Sequence, residues 1–259
     1  MPSHTIALIP ARMGSSRFPG KPLAQLLGRP MIEHVYRRVS MSRLISETYI
    51  ATCDEEVAEA TSKFGGKYVM TADTHERASD RVAEAAGSLS AEIFVMVQGD
   101  EPMVTAEMVD AAVEPMRSDT SIQCVNLTKR INNLDEFEDP NTIKVVMNKD
   151  LDALYFSRVP VPSRLTGSIK HKYRSSLTQI PAYKQVCIIP FRQKALKLYS
   201  ELSPTPLEIA ESVDMMRFIE HGYKVRMVET NAESYAVDTP EDLAVVEQLM
   251  RNDPLVNNY

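Results

Sequence analysis

Short apolar runs bounded by turn residues alternate with longer stretches of helical periodicity from residue 5 to residue 116, and this alternation restricts the chain to a βαβ architecture. Thr5-Ile6-Ala7-Leu8-Ile9 is a continuous apolar run that stops at Pro10, the pattern of a strand buried on both faces. Pro30 then opens a stretch in which Met31, Val35 and Val39 recur at i, i+4 and i+8. Proline suits a first helical position, where its missing N–H would have had no partner. The pattern continues as strand over Tyr49–Thr52, helix over Glu55–Phe64, strand over Lys67–Met70 and helix over Glu76–Leu89. Ile93–Val97 follows as strand and Glu107–Met116 as helix. Strands joined by helices need right-handed crossovers, so the sheet they form is mostly parallel.

The middle of the chain is different. Ser121–Leu127, Thr142–Met147 and Ala153–Phe156 are β-like runs with no good helix between them. A polar stretch over Ser163–Gln179 precedes another β-like run, Tyr183–Ile189, which stops at Pro190. Helical periodicity returns over Arg192–Tyr199 and Leu207–His221, and Val225–Val228 reads as strand. Asp238–Met250 reads as a helix capped by Asp238 or Thr239, with Pro240 inside and Glu241 and Asp242 in its first turn. The expectation is a single α/β domain over 1–259, its sheet mostly parallel, with a small antiparallel excursion near 125–190. That excursion fits a dimerisation or lid region and fits a plain structural insertion equally.

Ligands of open α/β sheets bind beyond the carboxyl ends of the strands. After the first strand comes Pro10-Ala11-Arg12-Met13-Gly14-Ser15-Ser16-Arg17-Phe18-Pro19-Gly20-Lys21, a loop with three cations, two hydroxyls and two glycines. Its backbone N–H groups and guanidinium forks suit phosphate oxygens. It is not a Walker loop, because five residues separate Gly14 from Gly20 and Pro22, not Ser or Thr, follows Lys21. Ile93–Val97 runs into Gln98-Gly99-Asp100-Glu101-Pro102, where Asp100 is sited to hold Mg²⁺ together with substrate phosphates. Asp238, after Tyr235-Ala236-Val237, is a second candidate ligand.

Composition narrows the function further. Lys plus Arg is 29 and Asp plus Glu is 35, a net charge of −6, which leaves no excess cation for a nucleic-acid backbone. No apolar run approaches the ~18 residues of a membrane span, and the first residues lack the pattern of a signal peptide. Cys53, Cys124 and Cys187 are an odd, scattered set without a CxxC pair, which reads as free thiols in a reducing cytoplasm. His34 reads as a surface or packing residue and His171 as a solvated one.

Five segments carry a resemblance to a known family. Pro10–Leu23, Gln98–Pro102, Asp139-Pro140-Asn141 through Lys144, Ala153–Arg158 and Val237–Leu243 resemble, in order, the 3-deoxy-manno-octulosonate (Kdo) cytidylyltransferases, or CMP-Kdo synthetases. The resemblance implies a GT-A-like nucleotidyltransferase (nucleotide-diphospho-sugar transferase) fold, a homodimer, and CTP and Mg²⁺ as co-substrate and cofactor. It implies transfer of CMP to the anomeric hydroxyl of a sugar acid with release of pyrophosphate, a reaction needing no protein nucleophile. By position, Arg12 and Lys21 would bind the triphosphate within a loop shaped by Ala11, Gly14, Ser15, Ser16 and Arg17, while Asp100 and Asp238 would hold Mg²⁺. The family's Ser-Gly-Thr-Asp/Glu-Arg segment appears as Arg77-Ala78-Ser79-Asp80-Arg81, which gives Ser79 and Arg81 to the nucleotide. Gln98 would face the sugar and ribose, and Gln185, Glu211 and Asp214 the acceptor.

The acceptor half departs from the family. A His-Ile/Val-Gly-Ile-Tyr segment appears as Gln185-Val186-Cys187-Ile188-Ile189, and Glu-Gln-Leu-Arg as Asp214-Met215-Met216-Arg217. Buried polar groups that pair with substrate hydroxyls discriminate strongly among acceptors. A modified Kdo, a nonulosonate or a non-sugar anion therefore competes with Kdo itself as acceptor. A sugar-1-phosphate nucleotidyltransferase and a nucleotide-sensing module that has lost its sugar substrate are the remaining readings.

Overall fold

The computed structural model describes residues 4–15, 17–163, 165–166, 173–174, 177 and 180–259. In chain order its elements are β1 (Thr5–Ala11), β2 (Gln25–Leu26), β3 (Arg29–Pro30), α1 (Met31–Ser40), β4 (Glu47–Thr52), α2 (Glu55–Lys63), β5 (Lys67–Met70), α3 (Ala78–Gly87), β6 (Ile93–Val97) and α4 (Ala106–Ser118). Then come β7 (Val125–Arg130), α5 (Leu134–Glu138), β8 (Lys144–Met147), β9 (Ala153–Ser157), β10 (Leu165–Thr166), β11 (Tyr173–Arg174), β12 (Tyr183–Val186) and β13 (Ile188–Arg192). The chain ends with α6 (Gln193–Glu201), α7 (Pro206–Glu211), α8 (Met215–Glu220), β14 (Arg226–Glu229) and α9 (Pro240–Met250).

The first sheet has the order β13-β6-β1-β4-β5, parallel except for the antiparallel edge strand β13. Its centre shows why the first apolar run has no polar positions. Ile6 and Leu8 pack in one cluster with Val82 and Ala85 of α3 and Leu196 of α6, while Ala7 and Ile9 pack in another with Val35 of α1 and Val109 of α4. Side chains alternate faces along a strand, so helices on both faces demand apolar residues at every step. The expected antiparallel excursion builds a second five-stranded sheet, ordered β14-β7-β12-β8-β9, antiparallel except where β14 lies beside β7. A bridge between Cys124 and Phe191 joins the two sheets.

Beyond shifts of up to four residues at element ends and a short helix, α5, inside the antiparallel excursion, three boundaries differ from the sequence expectation. Strand β1 continues through Pro10 to Ala11. Its ladder with β6 ends at Leu8, and the Pro10 carbonyl faces Gly99, so the missing N–H lies on the side where pairing has stopped. The run 183–189 divides at Cys187, and β13 carries on through Pro190, opposite Val95. Arg192 N–H points away from β6, to the Gln123 carbonyl, and Pro190 two residues earlier presents its nitrogen on that same outer side.

The third difference is the expected helix over 207–221, which is two helices. Ser212 between them has φ 52° and ψ 50°, a left-handed conformation. The guanidinium of Arg217 donates to both carboxylate oxygens of Glu208, at 2.8 and 2.7 Å, and also to both oxygens of Asp80 on α3. Nine residues of continuous helix would separate Arg217 from Glu208 by about 13.5 Å and two and a half turns. The break lets them meet.

Candidate active site

The loops at the carboxyl ends of β1 and β6 and the loop preceding α9 converge on a cleft of about 310 Å³. Arg12, Gly14, Ser15, Arg17 and Lys21 line one side, and His75, Glu76, Arg77 and Arg81 another, with Gln98, Asp100 and Asp238 beneath. The first loop is preformed. Met13 N–H donates to the Asp54 carboxylate at 2.7 Å, and the Met13 carbonyl accepts from both Ser15 and Gly20 at 3.0 Å. Gly20 sits at φ 74°, where a side chain would be strained, and turns the chain into a 3₁₀ turn at Lys21–Leu23. Gly99 is demanded for a different reason, since a Cβ there would lie 2.8 Å from the Pro10 carbonyl oxygen.

Lys21 is the hub of the cleft's charges. Its ammonium lies 2.7 Å from Asp100 and 3.4 Å from Asp238, all three side chains being between 14 and 28% exposed. Arg17 donates to Asp238 at 3.0 Å and to Asn141 at 3.2 Å. Val237 N–H donates to the Asp100 carbonyl at 2.8 Å, tying the two carboxylate-bearing loops together. The competition for Asp238 between helix capping and the cleft is resolved by Thr239. Its hydroxyl accepts from Asp242 N–H, and the Asp242 carboxylate accepts from the Thr239 and Asp238 N–H groups. The Asp238 carboxylate is thereby left to the cleft.

No cluster of three or more His, Cys, Asp or Glu suited to a metal occurs among the described residues. Two carboxylates with a cation between them are nevertheless a fit donor set for Mg²⁺, which takes one or two protein carboxylates and completes its shell with water and substrate phosphates.

The other expected nucleotide residues divide into two groups. Ala11, buried at the end of β1, lines the cleft, as do Gly14, Ser15 and Gln98, while Ser16 lies outside the described residues. Arg12 makes one long bond, 3.5 Å to the His75 carbonyl. Arg81 is 3% exposed, donates to Thr71 and Ala72, and leaves its second terminal nitrogen buried without a partner. Arg81 lines the cleft wall, although this nitrogen is itself closed to solvent. Ser79, by contrast, is fully buried and bonds through both its hydroxyl and its N–H to Asp214.

The acceptor residues are already partnered within the protein. Gln185 on β12 donates to Asn126 at 2.6 Å, and Asp214 holds Ser79. Glu211 accepts from the Tyr155 hydroxyl and the Arg158 N–H, both at 2.8 Å. Arg158 in turn spans the Glu211 and Pro140 carbonyls. Of the departures from the family pattern, Ile189 and Met215 are core residues, 1 and 0% exposed. Burial outweighs the Ser79 bonds and raises the Asp214 carboxyl above the usual range. Burial, with Asp100 adjacent, pushes the Glu101 carboxyl up to about 7.

Sequence reasoning missed Asp54, His75 and Arg77. Asp54 follows strand β4 as Asp100 follows β6, so the strand-end rule could have found it. Arg77 bonds Ser212 at 2.8 Å across 135 residues, and no local signal marks that.

The cytidylyltransferase family model matches residues 6–252. The 3-deoxy-manno-octulosonate cytidylyltransferase of Geobacter metallireducens is 46% identical over 247 residues, covering 95% of this chain and 97% of that protein. The enzyme of the same name from Geotalea uraniireducens is 42% identical, covering 95 and 98%. A solved structure of CMP:2-keto-3-deoxy-manno-octonic acid synthetase complexed with CTP superimposes with a TM-score of 0.87 at 38% identity, covering 97% of this chain and all of that one. A 4-diphosphocytidyl-2C-methyl-D-erythritol synthase from Anaerococcus prevotii shares the fold, with a TM-score of 0.64 at 15% identity.

Proposed function

The chain belongs to the cytidylyltransferase family, and from that premise we propose that it joins CMP from CTP to the anomeric hydroxyl of Kdo and releases pyrophosphate. The sugar hydroxyl gives its proton to solvent as its oxygen attacks the α-phosphorus and forms a P–O bond. The bond from that phosphorus to the β-phosphate oxygen breaks, and its electron pair leaves with pyrophosphate. Arg12 and Lys21 would neutralise the leaving group, and Arg81 in the cleft wall would lie beside the nucleotide. Asp100 and Asp238 would hold Mg²⁺, which supplies charge neutralisation at the phosphate oxygens.

The observation that carries this reading is the Lys21 bridge between Asp100 and Asp238 at the ends of buried elements, beside Arg12 and Arg17. Gln185 supports Kdo as the acceptor, because it finds its bond inside the protein at Asn126. The chain would act as one domain over 1–259 and pair as a homodimer, with Leu154 on the outer strand β9 and Val159 just beyond it, 56 and 63% exposed, as apolar surface to cover. Light scattering on the purified protein reads the oligomeric state. The cytoplasm, where CTP is made, is the expected location, and no helix among the described residues is long and apolar enough to cross a membrane.

The test is pyrophosphate release from CTP and Mg²⁺ with Kdo, UTP and other sugar acids serving as comparisons. Turnover of CTP with Kdo is expected. Turnover with another acid and none with Kdo would overturn the acceptor, and a preference for UTP would overturn the class.

A further inference from the structure

Asp100 and Asp238 stand 138 positions apart in sequence and belong to different loops, so something must hold those loops in register. Glu101 is a buried acid at their junction, 6% exposed, and the mechanism above makes no use of it. Its carboxylate accepts from the Ser234 hydroxyl at 2.9 Å, on the loop that leads to Asp238. The Cys187 N–H, where β12 passes into β13, also favours its charged form. The Cys187 carbonyl accepts from Gln98 N–H at 3.3 Å, and Val237 N–H closes onto the Asp100 carbonyl at 2.8 Å. Among the described residues no cation forms an ion pair with Glu101. A buried carboxylate without a cation is costly, and neutral donors are what makes it tolerable here.

We propose that Glu101 is a positioning residue, which through Ser234 fixes the loop carrying Asp238 against the turn carrying Asp100, and so sets the spacing of the two carboxylates toward Mg²⁺ and the triphosphate. This inference rests on the metal-binding role given to Asp100 and Asp238 in the proposed function. Glu101 touches no substrate and acts through its neighbours. Because the direct hydrogen bonds between the two loops among the described residues are this one and that of Val237 N–H to the Asp100 carbonyl, loosening this contact should change how well the carboxylates act together before it changes whether the chain folds.

Two variants test the idea. Glu101→Gln keeps the shape of the side chain and removes its charge, and Ser234→Ala removes its bond at a half-buried position. Each is read by its melting temperature, by the shift in that temperature on adding CTP with Mg²⁺, by the Mg²⁺ concentration giving half-maximal turnover, and by the KM for Kdo. Both variants are expected to fold, to require about tenfold more Mg²⁺, and to show a smaller ligand-induced shift, with the KM for Kdo unchanged. A lowered melting temperature with unchanged Mg²⁺ requirement and unchanged shift would overturn the inference and leave Glu101 a structural residue only. If the wild-type protein neither shifts with CTP and Mg²⁺ nor turns over, the functional reading falls and takes this inference with it.

Discussion

His34 shows how one residue type resolves once its neighbours are known. It is fully buried on α1, its Nε2–H donating to the Leu26 carbonyl at 2.7 Å and its Nδ1 accepting from the Tyr259 hydroxyl at 2.9 Å. That hydroxyl accepts in turn from Arg38. Burial lowers the His34 pKa from 6.5, the nearby Arg38 and Arg29 push the same way, and the Leu26 bond opposes them. Below about pH 6.5 the unfolded chain therefore takes a proton that the folded chain refuses, and stability is lost as the pH falls. Urea unfolding at about pH 7.5 and about pH 5.5 should show a loss in the wild type that is smaller in His34→Gln, the difference being at most about 1.4 kcal/mol. At the site, Lys21→Ala is expected to lower kcat about 10²- to 10³-fold in steady-state assays, since it removes a fixed cation from the departing pyrophosphate. The place of the basic loop in the cleft was legible because its residues are contiguous. Ser79 and Asp214 were both expected to face ligands, yet they bond one another across 135 positions, a partnership that spacing along a chain cannot reveal.

The elements of the first half were readable because their burial repeats with the period of strand or helix. Lys67–Met70 and Ile93–Val97 fall where the apolar pattern placed them. The pattern failed over 207–221, where apolar residues kept helical spacing through a left-handed Ser212. What breaks the helix there is the demand of Glu208, Asp80 and Arg217 to meet, a tertiary cause with no local signature. Helix α9 is the opposite case, because its capping box of Thr239 and Asp242 is written in four consecutive residues. Thr239→Ala should destabilise the protein by about 1 kcal/mol in chemical denaturation. It should also weaken activity, since the carboxylate of Asp238 would then be drawn toward the exposed N–H groups of the helix.

Across the whole molecule, the two sheets share one apolar cluster, in which Ile6 and Phe94 of the first sheet pack with Val145 and Phe156 of the second. The cleft is lined by loops that follow strands of the first sheet and by Asp238, on the loop between β14 of the second sheet and α9. The free protein already keeps a cation between Asp100 and Asp238, the ammonium of Lys21. Occupation of that place is therefore an ion exchange, with a resident counter-ion that is covalently tethered and cannot diffuse away. A triphosphate gives Lys21 somewhere else to go, and a bare dication does not. Mg²⁺ alone should leave the melting temperature unchanged, and CTP alone should raise it modestly. The two together should raise it by more than the sum of the separate shifts, a synergy that thermal melts across a grid of both concentrations would measure. On the proposed function, the chain's own lysine would make the cleft selective for a cation that arrives already bound to its nucleotide.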